Sequence, residues 1–231
     1  MTWLQENWRQ LVDYGLAHVW LSIPPIVIGF LVSLPFGWLA NRYRVSRGVL
    51  LTLGGILYAI PSLPLFVLLP SLIGTKILDP LNVEVALTIY AFALMLRTTA
   101  DGLASVDGDV KLSASAIGFG GWRRFVEVEL PLAGPVLLAG LRVVSVSTVS
   151  LVTIGAVIGV NSLGFFFLDG YQRAFFSPVW FGMAGTLLIA LVFDGVLVLL
   201  GRLLMPWTRS RRGPRARKYG AAQARVAVTS R

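Results

Sequence analysis

Apolar residues gather into long runs separated by short polar connectors, instead of alternating or recurring on one face. A helix needs about 20 apolar residues to cross a hydrocarbon core of about 30 Å. Five stretches approach or reach that length, at residues 17–40, 49–73, 83–99, 131–160 and 179–204. The pattern predicts an all-α integral membrane protein with five transmembrane helices. Prolines punctuate the first run at Pro24, Pro25 and Pro35, and the second at Pro61, Pro64 and Pro70. Each removes a helix hydrogen bond and favours a kink. A freed carbonyl at membrane depth is tolerated where protein or a water-filled cavity covers it. Pro61, Ser62 and Pro64 are therefore candidates for lining a pathway, with packing geometry the other reading.

Composition agrees with the bilayer. Of 231 residues, 56% are hydrophobic and 13% charged, whereas a soluble domain carries about 25% charged residues. Cysteine is absent, which excludes disulfides and thiolate metal sites, and the single histidine, His18, excludes a multi-histidine one. No catalytic residue or metal site is nominated. Residues 1–13 lack the basic segment and apolar run of a secretory signal, so insertion is expected from the spans themselves.

The net charge of +9 sets orientation. Arg42, Arg44 and Arg47 follow the first run, and Arg97, Lys111, Arg123 and Arg124 follow the third. Arg209, Arg211, Arg212, Arg215, Arg217, Lys218, Arg225 and Arg231 follow the fifth. With five spans these regions share one side, while Arg9, Lys76 and Arg173 lie on the other. By the positive-inside rule the N-terminus is outside and the C-terminus cytoplasmic. Three regions result: a head over 1–15, a membrane domain over 16–205, and a tail over 206–231. Trp3, Leu4, Trp8, Leu11 and Val12 alternate with polar residues in the head, which reads as an interfacial helix or as an extension of the first span. The basic tail lacks apolar periodicity and reads as disordered and held near anionic lipid. No base-reading module accompanies it, so nucleic acid is not an expected partner.

The segment 101–130 is too polar to span. Leu112, Ser113, Ala114 and the residues up to Ile117 suit a short helix, and Gly118, Gly120 and Gly121 permit a tight turn after Phe119 is included. Trp122, Phe125 and Val126 suit the apolar stripe of a second short helix, with Arg123 and Arg124 to one side. Pro131 opens the next span at a position where its missing N–H costs nothing. Such a knob is what an external motor needs to grip. The chain carries no G-x-x-x-x-G-K-[ST] loop, so any ATP must bind another chain.

These residues resemble the cytoplasmic loop of binding-protein-dependent ABC importer permeases, E-A-A-x-x-x-G-x(9)-I-x-L-P. Gly118 is followed by nine residues and then Val128-Glu129-Leu130-Pro131, while Leu112-Ser113-Ala114 stands where the family has Glu-Ala-Ala. The role of that missing carboxylate is not carried over. The stretches from Ile56 to Phe66, from Ala139 to Arg142 and from Ala156 to Gly164 look like permeases for glycine betaine, carnitine, choline and similar osmoprotectants. The resemblance spans roughly residues 15–205. It implies a type I importer permease in a bacterial or archaeal inner membrane, performing no covalent chemistry itself. It also implies two cytoplasmic ATPases carrying ATP and Mg, a second identical or related permease, and an external substrate-binding protein. Amino-acid or other betaine-like cargo is an alternative. An ion-coupled carrier is another, although no internal repeat is evident. The gripping loop argues against a non-transporting scaffold.

Two intramembrane charges stand out. Arg142 lies 11 residues past Pro131, about 16 Å along the helix, and Asp194 lies 10 residues before Leu204, about 15 Å from the same face. Isolated charges at that depth are costly. Opposite charges at equal depth on consecutive spans predict a buried structural ion pair that fixes the fourth span against the fifth, with path lining or other partners as alternatives. Gly155 and Gly159, four apart, suit a close helix approach. Phe165, Phe166, Phe167, Tyr171, Phe175 and Phe176 suit an outer hairpin, which reads as an aromatic interface belt or a docking site for the binding protein.

Overall fold

The computed structural model describes residues 2–208, and every regular element in it is helical. Helix α1 (Thr2–Arg42) is a single rod of 41 residues, about 60 Å long at 1.5 Å per residue. It exceeds a hydrocarbon core twofold, so the head continues the first span as one helix. Trp3 stacks on Phe181 (5.4 Å between centroids) and meets Phe166 edge-on (5.6 Å), while Tyr14 meets Phe165 edge-on. Outer aromatics thereby hold the head against the end of the bundle.

Helices α2 (Arg44–Ala59) and α3 (Ser62–Ile73) make up the second apolar run, bent by 99° at the break between them. Pro61 and Pro64 explain the break. Pro64 cannot donate to the carbonyl of Ile60, which accepts instead from the Tyr90 hydroxyl. Pro70, by contrast, sits inside α3 without ending it. Among the described residues four helices are long and apolar enough to cross a membrane, and five spans result when this bent pair counts as one.

Helix α4 (Pro80–Ala104) opens with Asp79 as N-cap, accepting from the Leu81 N–H at 3.0 Å, and Pro80 behind it. It is the centre of the molecule: 56% of its most apolar 18-residue stretch is buried. The short helices α5 (Gly108–Ala116) and α6 (Gly121–Arg124) follow, then one π turn over Phe125–Glu129 that runs into α7 (Leu130–Val152). Helices α8 (Gly164–Gln172) and α9 (Ser177–Leu204) complete the fold. Only 6% of the corresponding stretch of α9 is buried, so its apolar surface is left for lipid or another subunit.

The fourth apolar run is not helical through residue 160. It tightens into a 3₁₀ turn over Thr153–Ile158, which ends at Gly159 with φ +84°. The chain then folds back. Ser162 donates to the Val152 carbonyl (3.3 Å) and accepts from the Gly164 N–H (3.2 Å). Gly155 and Gly159 are thus turn residues; of the two, Gly155 does lie close against a helix, its added Cβ meeting the Val83 Cγ2 of α4 at 3.2 Å. A tighter approach runs along α1. Gly29, Ser33 and Gly37 form a strip of small residues along α1, facing α4. An added Cβ at Gly29 meets the Ala91 Cβ at 2.6 Å, one at Gly37 meets the Thr99 Cγ2 at 2.4 Å, and the Ser33 and Thr99 hydroxyls pair at 3.1 Å.

Two apolar clusters fill the bundle. One joins Leu21, Phe66, Leu87, Tyr90 and Val152, and the other joins Met95, Leu103, Phe125, Ala133, Leu137 and Val144. Residues 209–231, which hold most of the basic tail, lie outside the described residues. Pro206–Thr208 form a 3₁₀ turn.

Candidate coupling loop and intramembrane charges

The loop between α4 and α7 is built by local rules. Asp107 caps α5 by accepting from the Asp109 N–H at 2.8 Å. At the other end the Gly118 N–H donates to the Ser115 carbonyl and the Phe119 N–H to the Ala114 carbonyl, both at 3.1 Å. This is a Schellman closure with Gly118 at the left-handed position, φ +95°. An L-residue there strains the backbone, which gives the spacing pattern's single glycine a physical cause.

Ion pairs then fix the loop. Lys111 Nζ donates to the Leu103 carbonyl at 2.8 Å. Arg124 Nε donates to Glu129 at 2.7 Å and its Nη1 to the Ser115 hydroxyl at 2.8 Å. Arg123 pairs with Glu127 at 2.9 Å and covers the Phe119 ring at 4.6 Å. Trp122 meets Trp38 of α1 edge-on at 6.0 Å. The knob is therefore pinned to the end of the bundle, while Leu112, Ile117 and Trp122 remain 70%, 76% and 61% exposed.

The expected residues distribute as follows. Leu112 and Ser113 lie on the surface, Ala114 is buried against the bundle, and Phe119 and Pro131 are half-buried. Trp122 and Phe125 share a stripe, their rings 5.3 Å apart and both against Trp38 of α1, with Phe125 3% exposed; the π turn that starts at Phe125 leaves Val126 off it, 41% exposed. Glu129, buried at the foot of α7 and paired with Arg124, was not anticipated. Its signal was the odd placement of a carboxylate between Val128 and Leu130.

Arg142 and Asp194 are brought together, but the pair is not buried within this chain, the two side chains being 43% and 29% exposed. Arg142 Nε donates to Asp194 Oδ1 at 2.6 Å and Nη2 to Oδ2 at 2.8 Å, a bidentate fork linking α7 to α9. A second cluster, also missed, lies where α1 and α4 end and α2 begins: Arg47 contacts Asp101 at 2.6 Å, Arg97 approaches Asp101 at 3.9 Å, and the Asn41 amide donates to the Ala100 carbonyl at 2.7 Å. Pro61 and Pro64 are exposed beside the bend and Ser62 is half-buried.

Comparison with known proteins places this architecture. The chain is 29% identical over 209 residues to the glycine betaine/carnitine/choline transport system permease protein OpuCB of Bacillus subtilis, covering 89% of this chain and 94% of that one. It is 29% identical over 207 residues to the osmoprotectant import permease protein OsmW of Salmonella typhimurium, covering 88% and 96%. Among solved structures, the MetNI methionine ABC transporter in inward-facing conformations superposes with a TM-score of 0.70 at 21% identity, over 88% of this chain and 99% of that one. An amino acid ABC transporter with histidines superposes at 0.67 and 18% identity, over 86% and 96%. Both structures share the fold. The family model for binding-protein-dependent transport system inner membrane components matches residues 33–206. The chain belongs to that family: it is a multi-pass membrane permease subunit, not itself an enzyme, of the kind that works with an ATPase and a substrate-binding partner.

Proposed function

We propose that this chain forms half of the translocation pathway of an ATP-driven importer for a small osmoprotectant such as glycine betaine, carnitine or choline. It sits in a bacterial inner membrane with its N-terminus outside. It pairs with a second permease copy or relative, two cytoplasmic ATPases that hold ATP and Mg, and an external binding protein. The observation that carries the reading is the loop between α4 and α7. It is pinned to the bundle by Arg124–Glu129 and Trp122–Trp38 yet presents Leu112 and Ile117 outward. A rigid knob with an apolar tip, outside the spans, suits capture by a second protein. The cargo comes from the relatives, whose similarity runs the length of the chain.

In this scheme ATP-dependent closure of the ATPases moves the knob as a rigid body and tilts the spans between inward- and outward-facing states. The test is uptake of labelled glycine betaine, carnitine and choline by liposomes holding the full complex with its binding protein. ATP-dependent accumulation of at least one of the three is expected. Accumulation driven by an ion gradient without ATP, or of none of the three, refutes the proposal.

A further inference from the structure

The groove between α2 and α4 differs from two larger grooves in having a guanidinium and a phenol in its lining. Those between α1, α7 and α9, of about 310 and 430 Å³, are lined by apolar side chains, Ser145 and glycines. The α2–α4 groove holds about 190 Å³, room for several water molecules. Gly55 leaves space along α2, since a Cβ on it meets nothing within 4 Å, whereas Gly54 is closed off by Leu96, 3.2 Å from an added Cβ. Arg97 lines it, seven residues before the end of α4, about 10 Å along the helix axis. Tyr58 lines it towards the bend.

The charge count at Arg97 is unbalanced. Its nearest carboxylate is Asp101 at 3.9 Å, and that carboxylate is already held by Arg47 at 2.6 Å. Two guanidinium groups thus share one carboxylate, and the Arg97 side chain is 79% exposed. One turn inside the Arg47–Asp101 cluster at the end of the bundle, a charge faces water or a polar partner in preference to lipid. Tyr58, 48% exposed, meets Tyr90 edge-on at 6.0 Å and 84°, beside the bend where Tyr90 covers the Ile60 carbonyl. Irregular backbone at that depth belongs against protein or water, not lipid. A spare guanidinium and an exposed aromatic ring therefore share one glycine-widened groove.

We infer that this groove is a cargo site on the translocation path, in which Arg97 takes a carboxylate and Tyr58 takes a quaternary ammonium of the same solute. A guanidinium fork matches a carboxylate bidentately, and an aromatic face attracts a quaternary cation. Arg97 and Tyr90, which meets Tyr58, are about 10 Å apart along α4; the guanidinium, which reaches toward Asp101 in this structure, closes part of that gap on leaving Asp101 and leaning back toward the preceding turn of its helix. Zwitterionic betaines engage both ends. A solute with a hydroxyl in place of the carboxylate engages the aromatic end alone. The inference rests on the osmoprotectant reading above and adds a preference within that cargo class.

The test is paired uptake of labelled glycine betaine and choline by liposomes holding the full complex and its binding protein. Wild type is compared with Arg97→Gln, Arg97→Lys and Tyr58→Leu, at matched ATPase content. Arg97→Gln is expected to lower the ratio of glycine betaine to choline uptake about tenfold or more, the worth of one charge-assisted pair. Arg97→Lys is expected to fall between wild type and Arg97→Gln, and Tyr58→Leu to lower both cargoes. An unchanged ratio in Arg97→Gln overturns the inference and leaves Arg97 as a residue that reaches to the lipid headgroups. Where wild type admits glycine betaine alone, equal defects in the glutamine and lysine variants overturn it. A wild type that admits choline and no carboxylate-bearing solute overturns it while sparing the proposed function. A wild type that imports neither, nor carnitine, refutes the proposed function itself and the inference with it.

Discussion

The same substitution at two glycines of α1 is expected to shift stability in opposite directions. At Gly29 an added Cβ lies 2.6 Å from the Ala91 Cβ, 2.9 Å from the Phe92 nitrogen and 3.0 Å from the Ala91 carbonyl carbon. Carbon contacts are favourable near 3.5–4.0 Å, so α4 must retreat by roughly 1 Å. Two of the three atoms are backbone, so no side-chain rotation relieves the clash. Overpacking costs about 1–3 kcal/mol, and this geometry belongs at the upper end. Against it stands the helix preference for alanine over glycine, about 1 kcal/mol. The net for Gly29→Ala is a loss of about 2 kcal/mol, or about 4–8 °C for a chain of 150–250 residues. At Gly15 nothing lies within 4 Å of the added atom, so Gly15→Ala retains only the helix gain and rises by about 2–4 °C at most. Thermal unfolding of the detergent-purified complex, followed by tryptophan fluorescence, reads both. Adding Ala91→Gly to Gly29→Ala removes the nearest atom and is expected to restore part of the loss. A Gly29→Ala variant as stable as wild type, or equal shifts at the two sites, refutes the close packing of α1 on α4.

Three further outcomes follow from the geometry. Arg142→Ala and Asp194→Ala each leave one charge of a bidentate pair alone within the spans; each single variant is expected to reduce membrane yield and the double variant to recover it, and equal damage in all three rejects a structural pair. Tyr90→Phe strips the Ile60 carbonyl of its donor at the α2–α3 bend, with an expected loss of about 1–3 kcal/mol in thermal unfolding; no loss would mean that another donor covers that carbonyl. Gly118→Ala places a Cβ at φ +95°, costing about 1–2 kcal/mol locally; recovery of the ATPase with a tagged permease is expected to fall, and to vanish in Gly118→Trp, whereas undiminished recovery removes this turn from the proposed contact.

The sequence carried the span positions and the loop well because both signals are local. Apolar run length marks a helix whatever it packs against, and Gly118 requires a left-handed turn from its immediate neighbours alone. Arg142 and Asp194 were legible as a pair because equal depth on consecutive spans is a one-dimensional clue. The seam between α1 and α4 was not. Gly29, Ser33 and Gly37 share a face at four-residue spacing, but so do Gly155 and Gly159, and spacing alone does not say which strip meets a helix. The 3₁₀ turn over Thr153–Ile158 decides against the second pair, and it depends on the fold-back through Ser162. The run of Trp122, Phe125 and Val126 was legible in part: Trp122 and Phe125 meet on Trp38, but a stripe presupposes 3.6 residues per turn, and the π turn over Phe125–Glu129 breaks that period and leaves Val126 outside. Arg97, placed in sequence by its charge alone, gains meaning only from the groove that Gly55 of another helix leaves beside it.

The placement of the loop bears on how motion at its tip reaches the spans. It joins α4 to α7 directly, and Trp38 of α1 receives Trp122 from the side. Helices α1 and α4 meet through residues too small to rotate out of the way, and Gly140 of α7 fits over Thr98 of α4 with the same closeness, its added Cβ lying 2.2 Å from the Thr98 Cγ2. Close-packed interiors transmit displacement instead of absorbing it. A push on the knob, in the proposed importer, therefore moves α1, α4 and α7 together. The α2–α3 bend is held differently, by the Tyr90 hydroxyl on one carbonyl and by aliphatic contacts around Phe66. A proline-broken segment has fewer backbone hydrogen bonds to strain than a continuous helix, so displacement of the three-helix body is most readily taken up there. That puts the yielding element beside Tyr58 and the α2–α4 groove, so a solute seated between Arg97 and Tyr58 meets a different groove in each state of the cycle. A site that holds cargo in one state and releases it in the other needs that coupling, because cargo binding equally to both states shifts neither.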